Sequence, residues 1–201
     1  MSLWRGEPLI LASKSSVRRS LLEAAGIPVE IVPAAIDERA LEADYEECRA
    51  GPDSAAGVLA REKALVVSRG RKGLVLGADQ TLALGERRFS KPKNPADARA
   101  QLQSLAGRTH ALHSAAALAQ GGELIFQTVA TARLTVRRLS DELIDAYLAA
   151  AGEHVQHSVG AYQLEGLGVH LFEKIEGDHF TILGLPLLPL LAHFRILGRL
   201  S

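Results

Sequence analysis

Residues 9–22 constrain the fold more than any other stretch. They read Leu9-Ile10-Leu11-Ala12-Ser13-Lys14-Ser15-Ser16-Val17-Arg18-Arg19-Ser20-Leu21-Leu22. An apolar run of strand length breaks into small hydroxyl residues, and an apolar-periodic segment follows. That order predicts strand, tight loop, helix. Ser15 or Ser16 would cap the helix start, where free N–H groups and the positive dipole end favour an anion. Arg18 and Arg19 put two fixed positive charges in the first turn. Cations are disfavoured there unless an anion sits in front of them, and a phosphate chain is the simplest anion that fits. Ordinary capping beside a solvated arginine face is the alternative at this point.

The rest of the chain narrows the choice. At 201 residues it forms one domain or two lobes sharing a core, and 47% hydrophobic content suffices for that core. Lys plus Arg equals Asp plus Glu at 23 each. A binder of long nucleic acid carries a basic excess, so a phosphate held here belongs to a small molecule. Cys48 is the single cysteine, so no intramolecular disulfide and no cysteine zinc site can form. The first residues lack a signal-peptide core, and no stretch is long enough to span a membrane. The cytoplasm is the expected compartment. Residues 182–191 are the most apolar, but Gly184, Pro186 and Pro189 mark them as a buried segment.

Further elements follow from local patterns. Val29–Val32 alternates as a second strand, and Asp37-Glu38 falls in a loop. A helix is expected over Asp53–Arg69, capped by Asp53 or Ser54. Gly73–Ala78 reads as a fully buried strand that delivers Asp79 to its C-terminal end, where ligands bind in open α/β sheets. Gly85-Glu86 joins a hairpin, and Lys91 follows it. Asn94 caps a helix with Pro95 at its first position, and Gly107 ends it. Long strand-like runs, His110–Ala119 and Leu124–Arg137, flank Gly121-Gly122 as a second hairpin. Ser140 caps a helix to Ala151. A strand is expected over Val169–Ile175 and a last helix over Gly184–Leu197. Crossover helices beside a long hairpin predict a mixed sheet, not a purely parallel one.

Charged residues recur at the edges of apolar elements: Arg18 and Arg19, Glu38, Lys63, Asp79, Lys91 and Glu165. Asp79 is the strongest of them physically. A carboxylate ending an apolar strand is costly to desolvate unless it meets a cation or a metal; a helix cap or structural ion pair is the alternative role. The mixture suits phosphoanhydride chemistry, with cations on the phosphates and carboxylates holding a hard divalent metal or positioning water. Spacing does not say which carboxylate does which. His110/His113 lie on opposite faces of a strand, and His154/His157 fall in a loop, so neither pair makes a metal site. Gly166-Leu167-Gly168 lacks dinucleotide-loop spacing, and no Walker lysine motif is present.

Taken in order, these segments resemble the Maf family of nucleoside triphosphate pyrophosphatases nearly end to end. Residues 9–22 are close to that family's signature. Asp37-Glu38, Arg61-Glu62-Lys63-Ala64, Gly77-Ala78-Asp79-Gln80 and Lys91-Pro92 match its successive motifs. Glu165–Gly168, Phe172–Asp178 and Gly184–Leu187 resemble its C-terminal ones. The resemblance implies one domain over residues 1–201, with an ITPase-like α/β architecture: a twisted mixed sheet, flanking helices and two lobes around a cleft. It implies hydrolysis of a nucleotide between its α- and β-phosphates with a divalent metal, Mg²⁺ or Mn²⁺, in the cytoplasm. Effects on septum formation are also implied, and the assembly, monomer or homodimer, is open. By position Asp79 takes the proton-acceptor role. Ser13, Ser15, Arg18, Arg19, Glu38, Lys63, Lys91 and Glu165 take phosphate, metal and water roles, with Asp79 and Glu38 as the metal carboxylates.

Base choice rests on fewer residues. One group of the family has Thr after the strand-end Asp and resembles dTTP and UTP hydrolases. Another has Asp-Gln and a Glu near the Gly-x-Gly, and resembles 7-methyl-GTP hydrolases. Gln80 and Glu165 place this chain with the second. Members of that group carry Trp where this chain has Val17, so the aromatic platform for a methylated base is missing. A dTTP/UTP pyrophosphatase and a low-turnover nucleotide-binding regulator of septum formation are the alternatives.

Overall fold

The computed structural model describes residues 3–38, 40–41 and 52–201. Cys48 lies outside the described residues. Seven strands form one mixed sheet in the order β2-β1-β3-β5-β6-β7, with β4 paired to β3, and helices occupy the connections. The predicted mixed α/β class is the observed one. Among the described residues no helix is long and apolar enough to cross a membrane. The chain divides into two compact units. One comprises Met1–Gln80, His113–Ala130 and Asp178–Ser201, the other Thr81–Leu112 and Thr131–Gly177.

In the first unit the opening stretch folds as expected. Strand β1, Leu9–Leu11, is buried throughout. It pairs in parallel with β2, Val29–Ile31, and with the start of β3, Val75–Leu84. Helix α1, Ser16–Ala24, makes the first crossover and α2, Pro52–Gly70, precedes β3. Asp53 and Ser54 therefore lie inside α2 instead of before it. Asp37 and Glu38 are not plain loop: the Asp37 side chain accepts from Ala40 N–H at 3.1 Å and its carbonyl from Leu41 N–H, which starts a helical turn.

Strands β5, Thr109–Gln120, and β6, Glu123–Val136, meet at Gly121-Gly122. Both glycines have positive φ (60° and 85°), the requirement of a two-residue hairpin turn whose twist matches its strands. The expected last helix is shorter. A one-turn helix α5, His179–Ile182, comes first, and α6, Leu187–Ile196, begins only after Pro186. Proline is tolerated at a helix start, whereas the residue before it, here Leu185, is disfavoured in α conformation. The core of this unit is aliphatic, built from Leu9, Leu11, Leu22, Leu76, Leu118, Leu190 and Phe194, with Trp4 edge-on to Phe194 at 5.0 Å.

The second unit holds β4, Arg87–Phe89, antiparallel to the end of β3 across Gly85-Glu86. Helix α3, Pro95–Leu105, is capped by Asn94, which accepts from Asp97 N–H at 2.8 Å, and α4, Asp141–Ala151, by Ser140. Both caps were legible in the sequence. The expected strand over Val169–Ile175 is split. Leu167–Leu171 is a 3₁₀ segment and β7, Phe172–Glu176, follows, pairing with β6.

Candidate functional site

The loop after β1 builds a seat for Arg18. Ser15 is the N-cap of α1 and accepts from Arg18 N–H at 3.3 Å. Ser13 is buried; its Oγ accepts from Ser15 N–H at 3.3 Å and from Arg18 Nη1 at 3.2 Å. The guanidinium continues inward, donating from Nη1 to the Ala78 carbonyl at 3.0 Å and from Nε to the Gly184 carbonyl at 2.8 Å. Burial pulls Arg18 down from its usual value, and the carboxylates of Asp79 and Glu38 push it back up. It stays cationic, as guanidinium does in proteins. Among the described residues its hydrogen-bond partners are all neutral oxygens, so an oriented positive charge is left for an anion.

Arg19 points elsewhere. Its Nε pairs with Glu23 Oε1 at 2.7 Å, one helical turn on, and both side chains are about half exposed (51% and 44%). Such a surface pair contributes little. The structure thus brings Arg18 to the other site residues, and gives Arg19 a local ion pair. Val17 occupies the first turn of α1, half-buried.

Lys63 is placed by helix–strand contact. Alanines 56, 60 and 64 of α2 pack on alanines 115, 117 and 119 of β5. A Cβ built on Gly77 of β3 would fall 2.0 Å from the Ala60 carbonyl oxygen and 2.6 Å from Ala64 N. Only glycine fits, and the close approach brings Lys63 to Asp79, which lies in the middle of β3 and not at its end as expected, because the strand runs on past it to Leu84 and pairs there with β4. Its Nζ lies 2.6 Å from Asp79 Oδ1 and 2.8 Å from Glu38 Oε1. The Lys63 and Asp79 side chains are 9% and 14% exposed, that of Glu38 53%. One withdrawn ammonium therefore joins two carboxylates, and this answers the desolvation problem that Asp79 posed in the sequence. With Arg18 the group balances two positive charges against two negative.

Gln80, next along β3, is tied down. Its Nε2 donates to Ser114 Oγ at 2.9 Å and approaches the carbonyls of Thr181 (3.1 Å) and Ile182 (3.0 Å). Ser114 is fully buried and donates to the Thr181 carbonyl at 2.7 Å. Sequence reasoning missed Ser114, Thr181 and the Gly184 carbonyl as site-building groups. Ser114 left one signal, a lone hydroxyl in the apolar run of β5. The carbonyls left none, because any residue supplies one.

Lys91 and Glu165 belong to the second unit. Both are exposed. Gln101 of α3 supports the chain near each: Nε2 donates to the carbonyl of Ser90, and Oε1 accepts from Gly160 N–H at 3.1 Å. Glu165 sits in a turn between Gln163 and the 3₁₀ segment. A Cβ on Gly168 would fall 2.4 Å from the Gln163 carbonyl oxygen, so glycine is needed to close that turn.

Among the described residues no three His, Cys, Asp or Glu side chains form a metal-binding group. The donor set of Glu38 and Asp79 nonetheless fits Mg²⁺. That ion is held by one or two carboxylates together with substrate phosphates and water, not by an all-protein cage.

Known proteins supply an independent comparison. The Maf-like protein family matches residues 8–197. A relative from Bradyrhizobium diazoefficiens, named nucleoside triphosphate pyrophosphatase, is 57% identical over 97% of this chain and 96% of its own. A protein of the same name from Rhodopseudomonas palustris strain BisB18 is 55% identical over the same shares. A 7-methyl-GTP pyrophosphatase from Rhizobium etli is 54% identical over 96% of this chain and 98% of its own.

Proposed function

This chain belongs to the Maf family, and we propose from that premise how it works as a nucleoside triphosphate pyrophosphatase whose substrate carries a guanine-type base, 7-methylated guanine included. The family match spans both units, which supports reading residues 8–197 as one nucleotide-hydrolysing domain. The observation that carries the reaction is the buried Lys63 ammonium between Asp79 and Glu38, with Arg18 held by neutral oxygens close by.

In the reaction a water oxygen forms a bond to the α-phosphorus and the α–β bridging bond breaks. The products are a nucleoside monophosphate and pyrophosphate. Arg18 binds phosphate oxygens, since its charge has no carboxylate in hydrogen-bond contact among the described residues. Asp79, a carboxylate held 2.6 Å from the Lys63 ammonium, accepts the proton of the attacking water. Lys63 orients Asp79 through their ion pair before substrate arrives. Ser13 and Ser15 hold the loop that presents Arg18. Glu38 and Asp79 would hold a divalent cation, Mg²⁺ or Mn²⁺, which when bound neutralises charge on the phosphates and the leaving pyrophosphate. The balanced overall charge supports a free nucleotide over a long nucleic acid as ligand, and such nucleotides put the reaction in the cytoplasm.

The base preference rests on the resemblance of Gln80 and Glu165 to the 7-methyl-GTP group of the family. A carboxylate accepts from N1–H and the 2-amino group of guanine and balances a 7-methylated ring, whereas uracil and thymine offer one such donor. The test is a panel of GTP, 7-methyl-GTP, UTP and dTTP with Mg²⁺ or Mn²⁺, reading pyrophosphate against orthophosphate. Pyrophosphate alone is expected, with kcat/KM highest for a guanine-type base and activity lost to a chelator. Stepwise orthophosphate would overturn the reaction; UTP or dTTP exceeding both guanine nucleotides would overturn the base assignment. Val17→Trp should raise the 7-methyl-GTP to GTP ratio, since a cation–π contact is worth roughly 0.5–2 kcal/mol.

A further inference from the structure

The sequence casts Gln80 as a reader of the base. Its hydrogen bonds give it different work. Ser114 Oγ lies 2.7 Å from the Thr181 carbonyl, a bond in which only the hydroxyl can donate. Its one proton is used there, so towards Gln80 it can only accept. The carbonyls of Thr181 and Ile182 also only accept. All three neighbours of this end of Gln80 are acceptors, which settles that the NH₂ group faces them. Two amide hydrogens shared among three acceptors leave no donor for a base.

What Gln80 and Ser114 hold is the turn that holds Arg18. Asp178 caps α5 through Thr181 N–H and Oγ1, each at 2.9 Å. Beyond α5, Gly184 has φ +92°, and its carbonyl receives Arg18 Nε at 2.8 Å. A Cβ on Gly184 would lie 3.5 Å from both Nε and Nη2 of Arg18 and 3.6 Å from Gln80 Oε1. Strand β3, the turn and the guanidinium meet at that one glycine.

We propose that Gln80 is a positioning residue that acts through Arg18: together with Ser114 it anchors the 181–184 turn, whose Gly184 carbonyl fixes the guanidinium next to Asp79 on β3. The Asp-Gln pair at positions 79 and 80 then couples proton acceptor and phosphate binder, and says nothing directly about the base. This rests on the pyrophosphatase reading.

Three variants test it. Gln80→Glu keeps the shape but turns both donors into acceptors, Gln80→Leu removes the amide, and Ser114→Ala removes the partner. Each is assayed on GTP, 7-methyl-GTP, UTP and dTTP. Inorganic pyrophosphate affinity is measured by calorimetry and folding by thermal melting. Both Gln80 variants should lower kcat/KM by about tenfold or more on every nucleotide, with base ratios within about twofold of wild type, as expected for loss of an interaction remote from the base. Pyrophosphate should bind more weakly. In an Arg18→Lys background, Gln80→Leu should add less than about twofold, because residues acting through one group are not additive. Base ratios moved by about fivefold or more, or fully multiplicative effects of the two substitutions, would overturn the proposal. Should the Gln80 variants not fold, Ser114→Ala alone and with Arg18→Lys decides by the same two criteria. If the wild type hydrolyses none of the four nucleotides, the pyrophosphatase reading fails by itself. The pyrophosphate titrations then still decide the coupling of Gln80 to Arg18.

Discussion

Gly77 and Ala60 are in such close contact that a methyl group on Gly77 would overlap the Ala60 carbonyl oxygen. This spacing lets Lys63, three residues along the helix, reach Asp79, two along the strand, at 2.6 Å. Helix–strand packing and active-site electrostatics are therefore one feature of the fold. Gly77→Ala must push α2 away from β3. Overpacking of a tight core costs about 1–3 kcal/mol, and a backbone atom cannot rotate aside, so the upper part of that range is expected. Turnover should fall further than stability does, because Lys63 moves with the helix. A chemical-denaturation curve and kcat on the best substrate check this. Wild-type turnover in a destabilised Gly77→Ala protein would show that the Lys63 spacing does not matter.

Asp79→Asn isolates the proton acceptor. The amide keeps the shape, and Lys63 retains Glu38 at 2.8 Å, so stability should fall by about 1.5–3 kcal/mol, the scale of one hydrogen bond to a charged group, and the protein should stay folded. The rate should fall by roughly 10²–10⁴, the usual contribution of general acid–base catalysis. Near wild-type turnover would make Asp79 structural. A Mg²⁺ titration of the variant separates loss of the base from loss of a metal carboxylate: an unchanged metal dependence with a low kcat points to the base.

Much of this site could be read from the sequence, and the part that could not has a physical cause. Strand β1, the Ser15 cap of α1 and the buried run before Asp79 follow from short-range rules, namely apolar run and hydroxyl cap, whereas the continuation of β3 past Asp79 to Leu84 does not. The two arginines could not be told apart, because helical spacing puts neighbours Arg18 and Arg19 on different faces without saying which face is buried. Lys63 meeting both Asp79 and Glu38 is a contact over long sequence separation, set by alanine and glycine packing. Gln80 concealed its hydrogen-bond partners for the same kind of reason. Its identity suggested a reader, but its partners, Ser114 and two carbonyls of α5, come from segments far along the chain. The interrupted last helix was partly visible, since Pro186 marks where α6 can begin.

The division of labour between the arginines is testable. Arg19→Ala removes an exposed pair with Glu23 and should leave both stability and kcat/KM nearly unchanged, within about 0.5 kcal/mol. Arg18→Lys keeps the charge but cannot make three directed bonds to Ser13, Ala78 and Gly184 while facing a phosphate. A hydrogen bond to a charged group is worth about 1.5–3 kcal/mol, so kcat/KM should fall by about 10- to 100-fold. Side-by-side kinetics of the two variants suffice. Equal losses would remove the distinction.

The second unit carries a pH dependence of stability. His110 is almost fully buried between the rings of Tyr162 and Phe172; its Nε2 lies 2.7 Å from Tyr162 Oη, and its Nδ1 has no hydrogen-bond partner among the described residues. Burial holds its pKa down at about 4. Burial also pushes the Tyr162 phenol up, so the pair stays neutral across the working range. In the unfolded chain a histidine takes its proton near pH 6.5. Between those two values the unfolded state binds more protons, so stability is full above about pH 6.5 and is lost as pH falls towards 4. Going from pH 7.5 to 5.5 should remove about 1 kcal/mol through this residue, rising to about 3 kcal/mol near pH 4. His110→Phe keeps a ring in the cluster and cannot titrate. It should be less stable at pH 7.5, because the Tyr162 hydroxyl loses its partner, yet show a shallower fall on acidification. Urea unfolding of both proteins at pH 7.5, 6.5 and 5.5 gives the slopes, and the other histidines cancel in the difference. Parallel slopes would mean that His110 does not control the acid sensitivity of this unit.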